Sequence, residues 1–244
     1  MNVFTKNRKQ LSIFTTAGYP VIDSLSDQIP MLAKQGVDFI EIGIPFSDPM
    51  ADGPVIQETS RIALKNGMNL EILFEQLNER DTTVPIVLMG YLNPVLAYGL
   101  ENFLKRCQEV QIQTVILPDM SLEIYERFFQ STFEEHQIYP CFLITPKTDE
   151  QRIQRIAKIC RKSFVYLVSS NSTTGSKNDL SMDKDKFRRI KELCGAIPLF
   201  IGFGIKTRSD VETVYEVADG AIIGSAFLNA VEKGNEEQYL ESLH

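Results

Sequence analysis

The sequence predicts an α/β fold and, within that class, a single (β/α)8 TIM barrel of parallel strands over residues 1–244. Short apolar runs of strand length alternate with amphipathic helical patterns along the whole chain, as in parallel strands joined by crossover helices. Eight such units in 244 residues match the size of this barrel. No linker-like or low-complexity segment divides the chain. We also expect a short extra helix at the N-terminus.

The predicted strands are near-continuous apolar runs, which is typical of strands covered on both faces. About eight helices are expected between them, and Pro30 obscures the ends of the first. An open doubly wound sheet is the alternative, but the sequence lacks the GxGxxG turn expected after its first strand. The predicted strands are 11–16, 37–43, 85–91, 114–118, 139–145, 164–170, 197–204 and 220–226.

The composition argues against several classes of protein. A net charge of −7 gives the chain no electrostatic reason to bind nucleic acid or an anionic membrane. No apolar run approaches the roughly 18–20 residues of a membrane span, and the N-terminal residues lack the apolar core of a signal peptide. The 4 cysteines are widely spaced. We interpret them as reduced core residues of a cytoplasmic protein, not as disulfides or metal ligands.

Histidine is scarce, which narrows the chemistry further. The 2 histidines are His136, which we place near a helix end, and His244, the last residue. A Ser-His-Asp triad, a Cys-His dyad or a histidine metal site would need one of them. If the protein is an enzyme, carboxylates, a lysine or a tyrosine must carry the protons.

Strand two carries a glutamate among apolar neighbours. By the period of two, Glu41 faces either the barrel interior or the surrounding helices. A carboxylate there is costly unless it has a partner or a function. Burial would raise its pKa towards neutrality, which suits a general acid or base. The alternative is a structural Glu41, paired with a lysine or arginine to lock the barrel.

The loop after strand two contains two more acids. Asp48 precedes Pro49 and is interpreted as a capping or turn residue. Asp52, before Gly53, fits a turn equally well. Together with Glu41, however, it would form a two-carboxylate site in which one group is protonated and the other ionised.

The ends of strands seven and eight are rich in glycine, where barrels commonly bind phosphate. Gly202-Phe203-Gly204 closes strand seven, and Gly224-Ser225 precedes the last long helix. Backbone N–H groups at glycines and at a helix N-terminus can hold an anion. Tight turns that need glycine are the alternative. The small, polar segment 169–183 after strand six is interpreted as a flap that adds donors.

Three further side chains could take part in the chemistry, one within a strand and two after strands. Tyr166 lies within strand six and fits either a core or a catalytic residue. Lys147 and Lys206 follow strands five and seven, so Schiff-base chemistry stays open, although solvated surface lysines are the default. The residues alone therefore predict a cytoplasmic barrel enzyme that acts on a small phosphorylated metabolite by carboxylate acid–base chemistry.

The stretch from Glu41 to Pro54 reads EIGIPFSDPMADGP, a long and specific motif. It resembles the signature of the tryptophan synthase alpha-subunit family. The absence of tryptophan from the chain also fits a tryptophan-making enzyme, but it is weak support. The resemblance covers nearly the whole chain and continues in segments 88–94, 118–119, 166–169, 174–175, 202–205 and 223–226.

The resemblance implies retro-aldol cleavage of indole-3-glycerol phosphate to indole and glyceraldehyde 3-phosphate. Glu41 would be the general acid/base, Asp52 would face the indole N–H, and Tyr166 would lie beside the reacting carbon. The implied substrate-binding residues are Phe14, Met89, Ile116, Phe203 and Thr174. The implied phosphate-binding residues are Gly175, Gly204, Gly224 and Ser225, the last with its hydroxyl as well.

The same resemblance implies no metal and no cofactor in this chain. Its partner would be a beta subunit that holds pyridoxal phosphate, receives the indole through a tunnel and joins it to serine. The expected assembly is an alpha2-beta2 heterotetramer in the cytoplasm.

The chain departs from the family pattern at three places, none of which is Glu41 or Asp52. Tyr19 replaces a common acidic residue near the substrate rim. Ser121 replaces a proline in a region that the family uses to contact the beta subunit. The flap reads STTG at 172–175 instead of GVTG. We therefore expect the chemistry to be retained, and the strength of the coupling to the partner stays open.

Two other functions stay open at this stage. One is an aldolase or isomerase barrel that uses Lys147 or Lys206 as a Schiff base. The other is a catalytically weak subunit kept mainly to activate a partner enzyme, which the pairing of Glu41 with Asp52 argues against.

Overall fold

The structure is a computed structural model that describes residues 2–168, 184–202 and 204–243. Eight parallel strands close into a barrel in chain order, and β8 pairs back to β1. This confirms the predicted barrel. The strands are β1 Gln10–Thr16, β2 Phe39–Gly43, β3 Ile86–Met89, β4 Thr114–Ile116, β5 Tyr139–Ile144, β6 Val165–Val168, β7 Leu199–Gly202 and β8 Gly220–Ile223.

Helices surround the strands, and several connections hold more than one helix. After β2, for example, Asn69 begins a second helix by accepting a hydrogen bond from the Ile72 N–H at 3.1 Å. The described helices are α1 Leu25–Lys34, α2 Pro54–Lys65, α3 Leu70–Glu79, α4 Leu92–Tyr98, α5 Leu100–Glu109, α6 Leu122–Ile124, α7 Gln130–Glu135, α8 Glu150–Ile159, α9 Lys184–Cys194, α10 Arg208–Tyr215, α11 Ser225–Lys233 and α12 Glu236–Glu241. A π-helical turn, Tyr125–Phe129, joins α6 to α7, and a 3-10 turn, Cys160–Lys162, follows α8.

Pro30 lies inside α1 and does not end it. The buried face of this helix, which includes Leu25, Ile29 and Leu32, holds it against the barrel. Tertiary packing therefore overrides the low helix propensity of proline at this position.

The expected short N-terminal helix is not formed, because residues 2–9 run through turns and bends. The Asn2 side chain accepts a hydrogen bond from the Phe4 N–H at 2.9 Å and donates one to the Ser163 carbonyl at 2.8 Å. These bonds turn the chain at its start and direct the Phe4 ring into the base of the barrel.

Aromatic rings fill the barrel at the amino ends of the strands. The ring of Phe4 lies 5.1 Å from that of Phe39 and 4.8 Å from that of Phe164, and Phe164 lies 4.9 Å from Phe200. All four side chains are buried. We call this cluster of Phe4, Phe39, Phe164 and Phe200 the aromatic floor. Because side chains alternate along a strand, residues two positions further along β2 and β6 also point inward, above this floor.

The four cysteines of the chain lie in its core. Cys107, Cys141, Cys160 and Cys194 are free and buried, as expected for reduced core residues. Residues 2–168, 184–202 and 204–243 hold no cluster of three or more histidine, cysteine or acidic side chains that could bind a metal. They also contain no helix with the length and hydropathy that a bilayer crossing requires. His136 lies at the end of α7, as expected.

Candidate active site

A cavity of about 480 Å³ opens at the carboxyl ends of the strands, where barrel chemistry is expected. Its walls bring together most of the residues singled out in the sequence. These are Phe14, Glu41, Asp52, Met89, Tyr166, Gly204, Gly224 and Ser225.

One expected residue does not line the cavity, and three others lie outside the part of the chain that the structure describes. Ile116 is fully buried at the end of β4 and does not line the cavity, although its carbonyl accepts the Gly90 N–H at 3.0 Å. Thr174, Gly175 and Phe203 lie outside the described residues, as does the whole predicted flap at 169–183.

Glu41 projects from the middle of β2 into this cavity. In register it lies between Phe14 of β1 and Val87 of β3, and it is only 1% exposed. Its Oε2 atom has no hydrogen-bond partner among the described residues. Burial, aided by the charge of Asp52, raises the pKa of Glu41 to about 8. These features favour the acid–base interpretation over an ion pair that locks the barrel.

Asp52 reaches the same cavity from the loop between β2 and α2. Gly53 is the residue that precedes α2, so the Asp52 carboxylate is not used to cap that helix. Its Oδ2 atom instead accepts a hydrogen bond from the Tyr91 hydroxyl at 3.0 Å. Burial raises the pKa of Asp52, and the hydrogen bond from Tyr91 partly opposes this. Asp48 is exposed beside Ser47, outside the cavity walls.

Tyr166 faces Glu41 across the cavity from β6. It is buried, and burial together with the charges of Glu41 and Asp52 raises its pKa well above the usual value. The hydroxyl is therefore a neutral group at physiological pH. Gly202 on the neighbouring strand makes room for the ring, because a Cβ atom there would lie 2.1 Å from the Tyr166 hydroxyl oxygen. Gly202 thus serves side-chain packing.

The opposite end of the cavity is built for an anion. Gly224 immediately precedes α11, and Ser225 is the first residue of that helix. The first N–H groups of a helix have no partner within it and carry favourable dipole charge for an anion. Gly204, with φ of +82°, presents a backbone turn beside them. This arrangement fits a phosphate group.

The structure also separates the two candidate Schiff-base lysines. Lys206 lines the cavity next to Gly204, whereas Lys147 is not among the lining residues. The Lys206 backbone is held by a hydrogen bond from its N–H to Asp210 at 3.0 Å and by one from the Tyr239 hydroxyl to its carbonyl at 2.8 Å. Its side chain thus adds a cation near the anion end.

Sequence reasoning missed several wall residues and one supporting residue. The missed wall residues are mostly apolar, and periodicity alone does not distinguish them from core. The supporting residue is Tyr91, which belongs to segment 88–94 of the family resemblance and follows β3 at the catalytic end of the barrel. The missed wall residues are Met50, Ala51, Gly53, Pro54, Ile56, Ile205, Ile222 and Ala226.

Two of the residues that depart from the family pattern, Tyr19 and Ser121, lie in the described part of the chain. Tyr19 is 5% exposed and does not line the cavity. Ser121 precedes α6 and caps it, because its hydroxyl accepts the Ile124 N–H at 3.2 Å. A proline at this position would lack that cap.

Comparison with known proteins identifies the family of the chain. The model of the family described as "Tryptophan synthase alpha chain" matches residues 1–243. The tryptophan synthase alpha chain of Flavobacterium psychrophilum is 47% identical over 233 residues, which covers 94% of this chain and 92% of that protein. The corresponding protein of Christiangramia forsetii is 45% identical and covers 93% of this chain and 89% of its own length.

Solved structures give the same result. A chain of the tryptophan synthase a2b2 complex from Pyrococcus furiosus has a TM-score of 0.88 and 34% identity, covering 97% of this chain and 98% of that one. Tryptophan synthase subunit alpha from Legionella pneumophila has a TM-score of 0.86 and 31% identity, covering 100% and 94%. The chain belongs to the tryptophan synthase alpha chain family.

Proposed function

We propose that Glu41 and Asp52 carry out the reaction of this family, the cleavage of indole-3-glycerol phosphate. As an alpha chain the protein is a lyase of tryptophan biosynthesis. One observation carries the assignment of residues: a buried carboxyl group, one oxygen of which has no hydrogen-bond partner in the described part of the chain, shares a cavity with a second carboxylate.

Breaking the bond between the indole ring and the glycerol chain requires an electron sink. Protonation of indole C3 makes the ring electron-poor and places positive charge on its nitrogen. Removal of the proton from the adjacent glycerol hydroxyl then forms the aldehyde, and the electrons of the breaking bond return to the ring. Indole and glyceraldehyde 3-phosphate are released, and no net proton is consumed.

Glu41 is suited to both proton transfers. With a pKa of about 8 it is mostly protonated at neutral pH and can donate to C3. The resulting carboxylate then accepts the hydroxyl proton, which returns the enzyme to its starting state. Tyr166 lies opposite on β6, beside the reacting carbon.

Asp52 acts at the indole nitrogen. As a carboxylate it accepts a hydrogen bond from the N–H and stabilises the positive charge that develops there. The hydrogen bond from Tyr91 favours this ionised form. The indole ring packs against the apolar walls, including Phe14 and Met89, with Phe203 and Thr174 as further proposed contacts.

The phosphate binds at the other end of the cavity. We assign it to the N–H groups of Gly204, Gly224 and Ser225 and to the Ser225 hydroxyl, with Gly175 as a further donor. These contacts are remote from the breaking bond and hold the substrate in register with Glu41.

The chemistry uses this chain's own side chains, and we propose that pyridoxal phosphate belongs to a beta subunit. The chain from Pyrococcus furiosus that shares this fold belongs to a tryptophan synthase a2b2 complex. By analogy we propose an alpha2-beta2 heterotetramer in which indole passes to the partner. We place the enzyme in the cytoplasm, where its four buried thiols stay reduced, and treat residues 1–244 as one barrel domain.

Indole release from indole-3-glycerol phosphate by the purified chain tests the proposal, with and without a beta subunit. We expect slow release alone and a steep rise with the partner. Absence of indole under both conditions would show that the site serves another phosphorylated substrate. Borohydride treatment with substrate should leave no covalent adduct on Lys206, and an adduct would support Schiff-base chemistry instead.

A further inference from the structure

Tyr91, at the end of β3, contacts the loop between β2 and α2 at three places. Its hydroxyl donates to Asp52 Oδ2 at 3.0 Å and accepts the Ala51 N–H at 2.9 Å. Its ring packs against that of Phe46, with 5.2 Å between centroids. One side chain therefore fixes both the start and the end of this loop.

The loop needs such support, whereas Tyr91 is itself firmly held. Residues 44–53 contain no helix or strand, and Met50 beside the contact is 81% exposed. Tyr91 is only 4% exposed and directly precedes α4. The next N–H, that of Leu92, donates to both carboxylate oxygens of Asp119 after β4, at 2.9 and 3.1 Å.

We propose that Tyr91 is a positioning residue, whose hydroxyl orients the Asp52 carboxylate towards the indole nitrogen and fixes the loop that carries it. Tyr91 is not among the residues that line the cavity, so it acts through Asp52 and not on the reacting atoms. The inference rests on the proposed role of Asp52.

The hydrogen bond also affects the charge of Asp52. Burial raises the pKa of Asp52, and the donated hydrogen bond lowers it. Removal of the hydroxyl should therefore raise that pKa further, so that Asp52 takes up a proton at a higher pH. Three other titratable groups share the cavity with Asp52, namely Glu41 on β2, Tyr166 on β6 and Lys206 after β7, and the charge of Asp119 after β4 acts on Tyr91.

The substitution Tyr91→Phe tests this proposal, because it removes the hydroxyl and keeps the ring. We expect kcat for indole formation to fall by about tenfold or more with KM changed by less than about threefold. The acid limb of the kcat profile should move to higher pH, by about half a unit or more. Tyr98→Phe is a matched control, because it removes a tyrosine–carboxylate hydrogen bond, to Glu71 at 2.7 Å, outside the cavity.

Asp52→Asn separates failure of this inference from failure of the proposed function. If Asp52→Asn retains full activity, the role of Asp52 is wrong. If Asp52→Asn is impaired while Tyr91→Phe keeps the wild-type kcat and acid limb, only the positioning role is wrong. A lower kcat with an unmoved limb also overturns it, since that indicates general loosening.

Two further measurements guard against a folding defect. Tyr91→Phe in the Asp52→Asn background should cause less than about a twofold additional loss if the hydroxyl acts through Asp52. The pKa of the Asp52 carboxyl group can be followed in folded protein by the NMR chemical shift of its carboxyl carbon. This pKa should be higher in Tyr91→Phe than in wild type. An unchanged value overturns the proposal.

Discussion

The charge of Asp52 acts across the cavity on Glu41 and adds to the effect of burial in raising the pKa of Glu41. The two carboxyl groups are therefore electrostatically linked. Because two nearby carboxylates disfavour simultaneous ionisation, one group holds its proton more firmly while the other is charged. That asymmetry is what an acid beside an anionic stabiliser requires.

Glu41→Gln should reduce indole formation at least about 100-fold, because the amide keeps the shape of the side chain and cannot transfer the proton. KM should change little, since the phosphate contacts remain. Steady-state indole release at neutral pH measures both quantities. Near-wild-type turnover would exclude Glu41 as the acid/base and favour the weak-subunit alternative.

Stability should fall with rising pH because of Glu41. Its pKa rises from 4.5 to about 8 on folding, so the folded protein binds the proton more tightly than the unfolded chain does. The stabilisation is complete below pH 4.5 and is lost as the pH rises through about 8. Urea titrations at several pH values should show that, as the pH rises across this window, the free energy of unfolding of the wild type falls by on the order of a few kcal/mol relative to that of Glu41→Gln. Parallel curves for the two proteins would contradict a raised pKa at this residue.

Gly204→Asp should weaken binding of a phosphorylated substrate analogue by about tenfold or more, through backbone strain at φ +82° and repulsion of the phosphate. Isothermal calorimetry gives the affinity. Gly195→Asp is the control, because Gly195 also has a positive φ, +60°, but lies outside the cavity walls. Equal affinity in Gly204→Asp and wild type would refute the phosphate site.

Lys206→Met should raise KM by about fivefold and leave kcat nearly unchanged, because loss of one partly solvated cation weakens phosphate binding only modestly. The effect should shrink at high salt. Lys147→Met, outside the cavity walls, serves as the control and should match wild type. Abolished turnover in Lys206→Met would point instead to a covalent role for this lysine.

Much of the fold was predictable because the strands and helices of a parallel barrel produce a clear local pattern, in which apolar runs alternate with amphipathic helices. Each of the eight strands fell within or close to its predicted apolar run, and the carboxyl-end rule located Glu41 and Asp52. Whether Glu41 faces inward was not predictable, since a period of two defines two faces and only barrel closure decides between them.

The misses involve contacts between distant segments. The N-terminal residues form no helix because Phe4 packs against strands far along the chain. Gly202 accommodates Tyr166 from a neighbouring strand, and Tyr91 holds a loop some 40 residues away, at Asp52. No local pattern encodes such pairs.

The aromatic floor has a consequence for the movement of small molecules. With Phe4, Phe39, Phe164 and Phe200 packed across the barrel axis, the end beneath Glu41 is sealed by side chains. Substrate and both products must therefore share the opposite rim, formed by the loops after the strands. A protein docked on that rim would control both the entry of the substrate and the departure of the aromatic and three-carbon products.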